Sequence, residues 1–233
     1  MEFVDGYDLQ TGLQTEARDW REIVELFLEA GTGLALINVD DSGENAISVS
    51  PGANGQVTRG DVRAAADMIE SATVVLLQLE VPIEAVGEAA ALARGMVILN
   101  PAPAAPLPAE LLEHVDILVP NETELGLLAA AATTTEDEVI AAARALPVDD
   151  VVVTLGARGA LVVSRAGANQ VPPVPVEAVD TTGAGDAFCG ALAAELARGA
   201  YLQAAARFAA KVAAVAVTRH GAQAAMPTRD ELT

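Results

Sequence analysis

The amino-acid sequence predicts an α/β fold, a three-layer α/β/α arrangement around a mainly parallel sheet. Short apolar runs such as 96–99 and 151–155 have the length and continuity of strands buried on both faces, and segments with helical periodicity lie between them. Of the 233 residues, 52% are hydrophobic, which is enough for one α/β domain with a sizeable core. Only 3% are aromatic, so that core must be built from Ala, Val and Leu.

Turn and cap residues set the limits of most predicted elements. Thr58, with Asp61 three residues later, is a capping signal; Pro82 opens a helix that Gly95 closes, and Gly199 stops another. The predicted strands are 34–39 and 46–49, paired as a hairpin, then 73–79, 96–99, 116–119, 151–155, 160–163 and 174–179. The predicted helices are 17–30, 58–69, 82–94, 109–115, 121–131, 136–146, 188–196 and 202–217, the last apolar on nearly all sides and therefore expected to be buried.

The composition is strongly acidic. Thirty-three Asp and Glu residues face 13 Lys and Arg, a net charge of −20, and Lys211 is the only lysine. Such a surface repels nucleic acid and anionic membranes, so neither is an expected partner. It suits a halophile, because the Debye length falls to ~3 Å in 1 M salt and self-repulsion is then screened; an ordinary acidic protein is the alternative. No apolar run reaches membrane-spanning length, there is no secretory leader, and the single cysteine, Cys189, indicates the cytoplasm.

The stretch 180–186, D-T-T-G-A-G-D, lies where a predicted strand meets a predicted helix. Gly183 and Gly185 can adopt backbone angles that other residues resist, and the first turn of a helix leaves N–H groups unpaired. Together they suit a phosphate, or charge that develops on one. Asp186 at the edge would repel a bound phosphate unless its task is to accept a proton from the attacking group. A glycine turn that only caps a helix is the simpler alternative.

The longer string D-T-T-G-A-G-D-A-F resembles the second signature of the PfkB-type sugar kinases, and the chain from residue 33 onwards is similar to the ribokinase-like members of that family. The resemblance implies ATP-dependent phosphorylation of a sugar primary hydroxyl, with D-ribose as the expected sugar and Asp186 as the general base. Charge on the transferring phosphoryl group would be stabilised by N–H groups of this turn, at Gly183, Ala184, Gly185 and Asp186.

Two further motifs fit the same family. Asn121-Glu122-Thr123-Glu124 opens a helix, and its simplest interpretation is capping; the resemblance adds nucleotide binding by Asn121 and Mg²⁺ held through water by Glu124. The stretch 154–159, T-L-G-A-R-G, could be a plain hairpin turn, but it resembles the family's turn that lies along ATP. By resemblance, the nucleotide contacts here are Thr154, Gly156, Gly159 and, on the last helix, Ala210.

Sugar and cation contacts are implied by matching positions alone. Glu80, at a predicted strand end, corresponds to a carboxylate that contacts the sugar in the family; a solvent-exposed acid before Pro82 is an equally good interpretation. The resemblance also implies a monovalent cation, K⁺, held mostly by backbone oxygens at Asp180, Thr182, Ala216, Arg219, Gly221 and Ala225.

The resemblance does not extend to the start of the chain. The family's first strand with a sugar-binding aspartate, its G-G-K-G-A-N-type stretch and its lid strands have no counterpart in 1–32. We therefore expect an unmatched segment, 1–32, and an incomplete ribokinase-like domain, 33–233, with exposed sheet edge that favours a homodimer. A kinase for another sugar or a nucleoside, and an inactive nucleotide-binding remnant, stay open as alternatives. A dinucleotide-dependent oxidoreductase fits poorly, because its glycine motif would follow the first strand.

Overall fold

A computed structural model of the chain describes residues 31, 33–39 and 45–232. The chain divides into two compact units, Met1–Val57 and Thr58–Thr233. The predicted helix 17–30 lies outside the described residues, and the boundary expected between residues 32 and 33 stays a prediction.

In the first unit the described residues form a hairpin. Strand β1 (Leu34–Val39) pairs antiparallel with β2 (Asn45–Ser50), and a short 3₁₀ helix, Gly52–Gln56, follows. The hairpin predicted from the sequence is therefore confirmed, with β2 one residue longer at each end.

The second unit is organised around a sheet whose six described strands follow chain order, β3-β4-β5-β6-β7-β8. Strands β3 to β6 are parallel, and β7 and β8 add antiparallel to them. The prediction of a mainly parallel sheet is confirmed. The strands are β3 (Val74–Leu77), β4 (Met96–Leu99), β5 (Ile117–Leu118), β6 (Asp150–Thr154), β7 (Ala160–Ser164) and β8 (Gly167–Val171).

Helices cover both faces of this sheet. They are α1 (Arg59–Ala64), α2 (Ala66–Ser71), α3 (Ile83–Leu92), α4 (Ala109–Leu112), α5 (Glu122–Ala129), α6 (Glu136–Ala145), α7 (Ala184–Ala197) and α8 (Leu202–Ala216). Successive strand residues point to opposite faces, so Val151 and Val153 pack with α3 to α6, whereas Val152 packs with α7 and α8. One apolar layer lies on each side of the sheet, between the sheet and its helices, which gives the predicted α/β/α arrangement.

The capping signal at Thr58 forms as predicted. The Asp61 N–H donates to Thr58 Oγ1 at 3.3 Å, and the Thr58 N–H donates to Asp61 Oδ2 at 2.8 Å. The single helix predicted for 58–69 is instead two, because Ala65 leaves helical geometry (φ −97°, ψ 13°) between α1 and α2.

Three sequence predictions around the last elements need correction. The stretch 174–179 is not a strand, because Pro172, Pro173 and Pro175 remove the N–H donors that a ladder requires. Strand β8 was not predicted, since its sequence G-A-N-Q-V lacks the apolar alternation of a strand. Helix α8 is not buried all round: Arg207 and Lys211 lie on an exposed face.

Candidate active site

The glycine-rich turn ends in the first turn of α7. Gly183 caps that helix with φ +74°, and a Cβ added there would lie 3.3 Å from both Cα and Cβ of Ala222. Glycine is therefore required on two grounds, the left-handed backbone and the close neighbour. The Ala184 N–H donates to the Thr181 carbonyl at 3.2 Å. The N–H groups of Gly185 and Asp186 belong to the first turn, where the helix itself supplies no acceptor.

Asp180 ties this turn to the segment after α8. Its Oδ1 accepts the Thr182 N–H at 2.9 Å and its Oδ2 accepts the Gly221 N–H at 2.9 Å. The N–H groups of Val179 and Asp180 both donate to the Val217 carbonyl, at 2.7 and 3.1 Å. The bonds from Gly221 and Thr182 favour the charged carboxylate and lower the pKa of Asp180 to about 2.

Most of the residues assigned to the cation by resemblance border this junction. Asp180, Thr182 and Gly221 are joined by the hydrogen bonds just described. Ala216 ends α8 and its carbonyl accepts the Arg219 N–H at 3.1 Å. Ala225 is buried in a following 3₁₀ helix, Gln223–Ala225.

Three acidic residues, Glu80, Glu124 and Asp186, are linked by their electrostatic effects on one another or on Cys189. Desolvation raises the pKa of the Asp186 carboxyl, although it is accessible at the surface, and the charge of Glu80 raises it further. Desolvation likewise raises the pKa of Glu124. The buried Cys189 thiol lies in the same field: burial first, and then the charges of Asp186 and Glu124, raise its pKa to about 12. No local pattern in the chain relates Glu80 to Asp186, and only the resemblance, which assigns both to the sugar, implies that they lie close together.

The Asn121–Glu124 motif forms a capping box at the start of α5. Asn121 Oδ1 accepts the Glu124 N–H at 2.8 Å, and Glu124 Oε2 accepts the Asn121 N–H at 2.8 Å. The capping interpretation is thus correct, and it leaves the second carboxylate oxygen of Glu124 for another interaction. A single carboxylate that contacts the ion through a metal-bound water suits Mg²⁺, which usually keeps several of its waters. In the described part of the chain, no group of three or more His, Cys, Asp or Glu residues could hold a metal directly.

The turn at 154–159 lies beside that motif. The Thr154 N–H donates to the Pro120 carbonyl at 2.9 Å, and Asn121 forms a parallel bridge with Thr154. A short 3₁₀ helix, Gly156–Arg158, reverses the chain towards β7. Gly159 has φ +89°, and a Cβ there would lie 2.2 Å from the Val171 carbonyl oxygen, so no other residue fits.

A cleft of about 600 Å³ in the second unit joins the Asn121 motif, the turn at 154–159 and the glycine-rich turn. Of the predicted site residues, Glu80, Glu124, Gly183 and Asp186 are not among those that line it. Its size is that of a small-molecule or cofactor site. Ala184 and Gly185 of the glycine-rich turn line it. So do all five positions assigned to the nucleotide by resemblance, which are Asn121, Thr154, Gly156, Gly159 and Ala210.

One wall of the cleft was missed from the sequence. It consists of Pro173 and apolar residues of 174–179, the stretch interpreted as a strand, together with Phe188 on α7. The signal was present, because a segment with repeated proline cannot enter a ladder but can line a groove. The residues of that wall are Pro173, Val174, Pro175, Val176 and Ala178.

The sequence profile described as pfkB family carbohydrate kinase matches residues 27–229. The chain is 40% identical over 211 residues to ribokinase of Staphylococcus aureus, covering 88% of this chain and 69% of that protein. It is 36% identical over 233 residues to ribokinase of Schizosaccharomyces pombe, covering 96% and 73%. It is 37% identical over 207 residues to deoxyribokinase of Salmonella typhi, covering 86% and 68%.

Solved structures show the same fold. Ribokinase of Thermotoga maritima superposes with a TM-score of 0.80 at 33% identity, over 93% of this chain and 77% of that one. Ribokinase of Arabidopsis thaliana, complexed with ribose and ATP, gives 0.78 at 33% identity, over 86% and 67%. A ribokinase II of E. coli in complex with ATP and Mg²⁺ gives 0.70 at 25% identity, over 87% and 70%. Among the described residues no helix is long and apolar enough to cross a membrane. By fold and by sequence, this chain belongs to the pfkB family of carbohydrate kinases and is a ribokinase-like phosphotransferase.

Proposed function

We propose that this chain transfers the γ-phosphoryl group of ATP to the primary hydroxyl of a pentose, converting D-ribose to D-ribose 5-phosphate. The observation that carries the proposal is the shared cleft, which brings the turn at 154–159 and the glycine-rich turn together at about 600 Å³. Ribokinases at 36–40% identity and a structural relative that holds ribose and ATP support the choice of substrate.

Asp186 is the proposed general base. As the sugar oxygen bonds to the γ-phosphorus, its proton passes to the Asp186 carboxylate and the bond from the γ-phosphorus to the β–γ bridging oxygen breaks, leaving ADP. The raised pKa of Asp186 makes it a stronger base than an ordinary aspartate. The N–H groups of Gly185 and Asp186 would stabilise charge on the transferring group. Glu80, close enough to act on Asp186, is the proposed sugar contact.

Glu124 is the proposed Mg²⁺ residue, acting through water. Its capping box uses Oε2 alone, and burial makes its charge costly, so a nearby cation would stabilise the carboxylate. When bound, the ion neutralises phosphate charge.

We also propose a K⁺ site at the junction of the glycine-rich turn and the segment after α8. Backbone carbonyls there are the proposed ligands; the Ala216 carbonyl accepts one N–H bond and keeps a second lone pair for the cation. At constant ionic strength, replacing K⁺ with choline should lower both the melting temperature and the activity. Equal melting and activity in the two salts would contradict the site.

The acidic surface suggests that the enzyme works in a salt-rich cytoplasm. With a net charge of −20, self-repulsion should lower the melting temperature as KCl is removed. Among the described strands β3 lies at the sheet edge with Leu76 39% exposed, which supports association as a homodimer. Melting curves from dilute to molar KCl, and sedimentation at each salt concentration, test the two ideas separately.

The test of function is sugar-dependent ADP release in molar KCl with MgATP, offering D-ribose, 2-deoxyribose, fructose and a nucleoside in turn. Ribose-dependent turnover that Asp186→Asn lowers by roughly 10²–10⁴-fold, with ATP binding retained, is the expected result. Turnover by Asp186→Asn at the unmodified rate would refute the assigned base.

The 37% identity to a deoxyribokinase favours a second candidate sugar, 2-deoxyribose. A higher kcat/KM for deoxyribose than for ribose would replace the proposed substrate. ATP binding without turnover on any sugar would identify an inactive nucleotide-binding protein instead.

A further inference from the structure

An ion pair joins the two motif loops at the cleft. The Arg158 guanidinium, at the end of the 3₁₀ helix Gly156–Arg158, donates to Glu122 Oε1 at the start of α5. Thr133 holds the same residue from the other side, since its Oγ1 donates to the Glu122 carbonyl at 2.9 Å. Glu122 is therefore fixed in both backbone and side chain.

The charge of Glu122 is out of place for a nucleotide site. Among the described residues that line the cleft, Glu122 is the only one with an ionisable side chain. A nucleoside triphosphate carries several negative charges, and a carboxylate beside it with no cation nearby would oppose its binding. Arg158 does not line the cleft; it lines a smaller neighbouring cavity of about 300 Å³ together with Glu136.

We propose that Arg158 is a positioning residue that acts through Glu122: it neutralises that carboxylate, so that the cleft accepts the phosphates of a nucleotide. The inference rests on the proposed function, because it requires ATP in this cleft. It assigns Arg158 no contact with the nucleotide. An exposed ion pair adds little to stability, so we expect the main consequence of losing Arg158 to fall on binding.

The charge of the ligand provides the test. Calorimetric affinities for adenosine, ADP and ATP are measured at low and at molar salt, for the unmodified chain, Arg158→Ala, Glu122→Gln and the double variant. For Arg158→Ala we expect ATP to bind on the order of tenfold more weakly at low salt, ADP less so and adenosine equally well. The loss should disappear in molar salt, where the Debye length is ~3 Å.

Adding Glu122→Gln to Arg158→Ala should restore ATP affinity to within about twofold, because the exposed charge is then gone. Glu122→Gln alone should tighten ATP binding at low salt, since Arg158 is left as an unpaired cation. This single variant keeps the test decisive if Arg158→Ala fails to fold.

Arg165→Ala is the matched control. It removes an arginine from another exposed ion pair, with Asp149, and changes the net charge equally. It should leave all three affinities unchanged.

Four results would overturn the proposal. ATP binding that stays weak in the double variant would mean that Arg158 contacts phosphate directly. Equal weakening of adenosine and ATP would mean that it only holds the loop. A comparable loss in Arg165→Ala would mean that net charge alone is responsible. Failure of the unmodified chain to bind ATP would overturn the proposed function, and this inference with it.

Discussion

Gly183 and Gly185 lie two residues apart, yet alanine at the two positions should have opposite effects on stability. At Gly183 the backbone has φ +74°, and the new Cβ would lie 3.3 Å from two atoms of Ala222. At Gly185 the backbone is helical, and a new Cβ would have no atom within 4 Å, because the residue faces the open cleft.

The magnitudes follow from these two environments. A left-handed alanine costs about 1–2 kcal/mol, and the tight contact with Ala222 adds to it, so Gly183→Ala should lose roughly 1–3 kcal/mol. For a unit of this size each kcal/mol is worth about 2–4 °C, which gives a fall of roughly 2–12 °C. Alanine in place of a helical glycine gains about 0.5–1 kcal/mol, so Gly185→Ala should melt slightly higher.

Activity should separate from stability in the second variant. The methyl group of Gly185→Ala enters the cleft where the proposed phosphoryl group meets the N–H groups, and we expect a loss of roughly 10²–10³-fold in kcat, as when one such donor is removed. Calorimetric melting beside ADP-release kinetics measures both quantities. Unmodified kcat in Gly185→Ala would refute phosphoryl transfer at this turn, and an unchanged melting temperature in Gly183→Ala would refute the strain.

Three further predictions concern the acidic cluster and the core. Because the folded-state pKa of Asp186 is raised, its charge destabilises the fold above that pKa; Asp186→Asn should therefore unfold at higher urea at neutral pH, and the gain should vanish below the ordinary value of 3.8. Because the charge of Glu80 raises the pKa of Asp186, Glu80→Gln should move the acid limb of the kcat–pH profile to lower pH, and an unmoved limb would contradict the coupling. With a pKa of about 12, Cys189 should resist iodoacetamide at pH 8 until denaturant is added; alkylation of the native chain at the rate of free cysteine would show that it is not buried.

Elements whose ends carry side-chain signals were predictable from the sequence. Thr58 and Asp61 form the expected box, and α7, which Gly183 caps, ends before Gly199, whose φ is +87°. The strand predicted for 174–179 was wrong because its alternating valines are typical of a strand, whereas proline lacks the backbone N–H that a strand ladder requires. Strand β8 has no strong pattern of its own and depends on its pairing with β7.

The roles assigned to the motif residues stay predictions, although the five residues assigned to the nucleotide do line one cleft. The contacts between motifs could not be predicted from local patterns. The Gly221 N–H reaches Asp180 across 41 positions of the chain, and Glu122 meets Arg158 across 36. Local sequence patterns do not predict contacts between residues so far apart in the chain. These contacts depend on which strands are neighbours in the sheet, and the fold determines that order.

The chain-order arrangement of the six strands has a consequence for how the second unit assembles. From β4 onwards each strand of this sheet pairs with the one that precedes it along the chain, so the sheet can grow in one direction without waiting for a distant partner. The connections between the parallel strands each contain at least one helix, so closing them should be the slow part of assembly. Hydrogen exchange should show graded protection, highest for β5 and β6 in the middle and lowest for β3 and β8 at the two edges of the described sheet. The cleft is lined by Thr154 at the end of β6, so this part of its wall should be among the last parts of the unit to open.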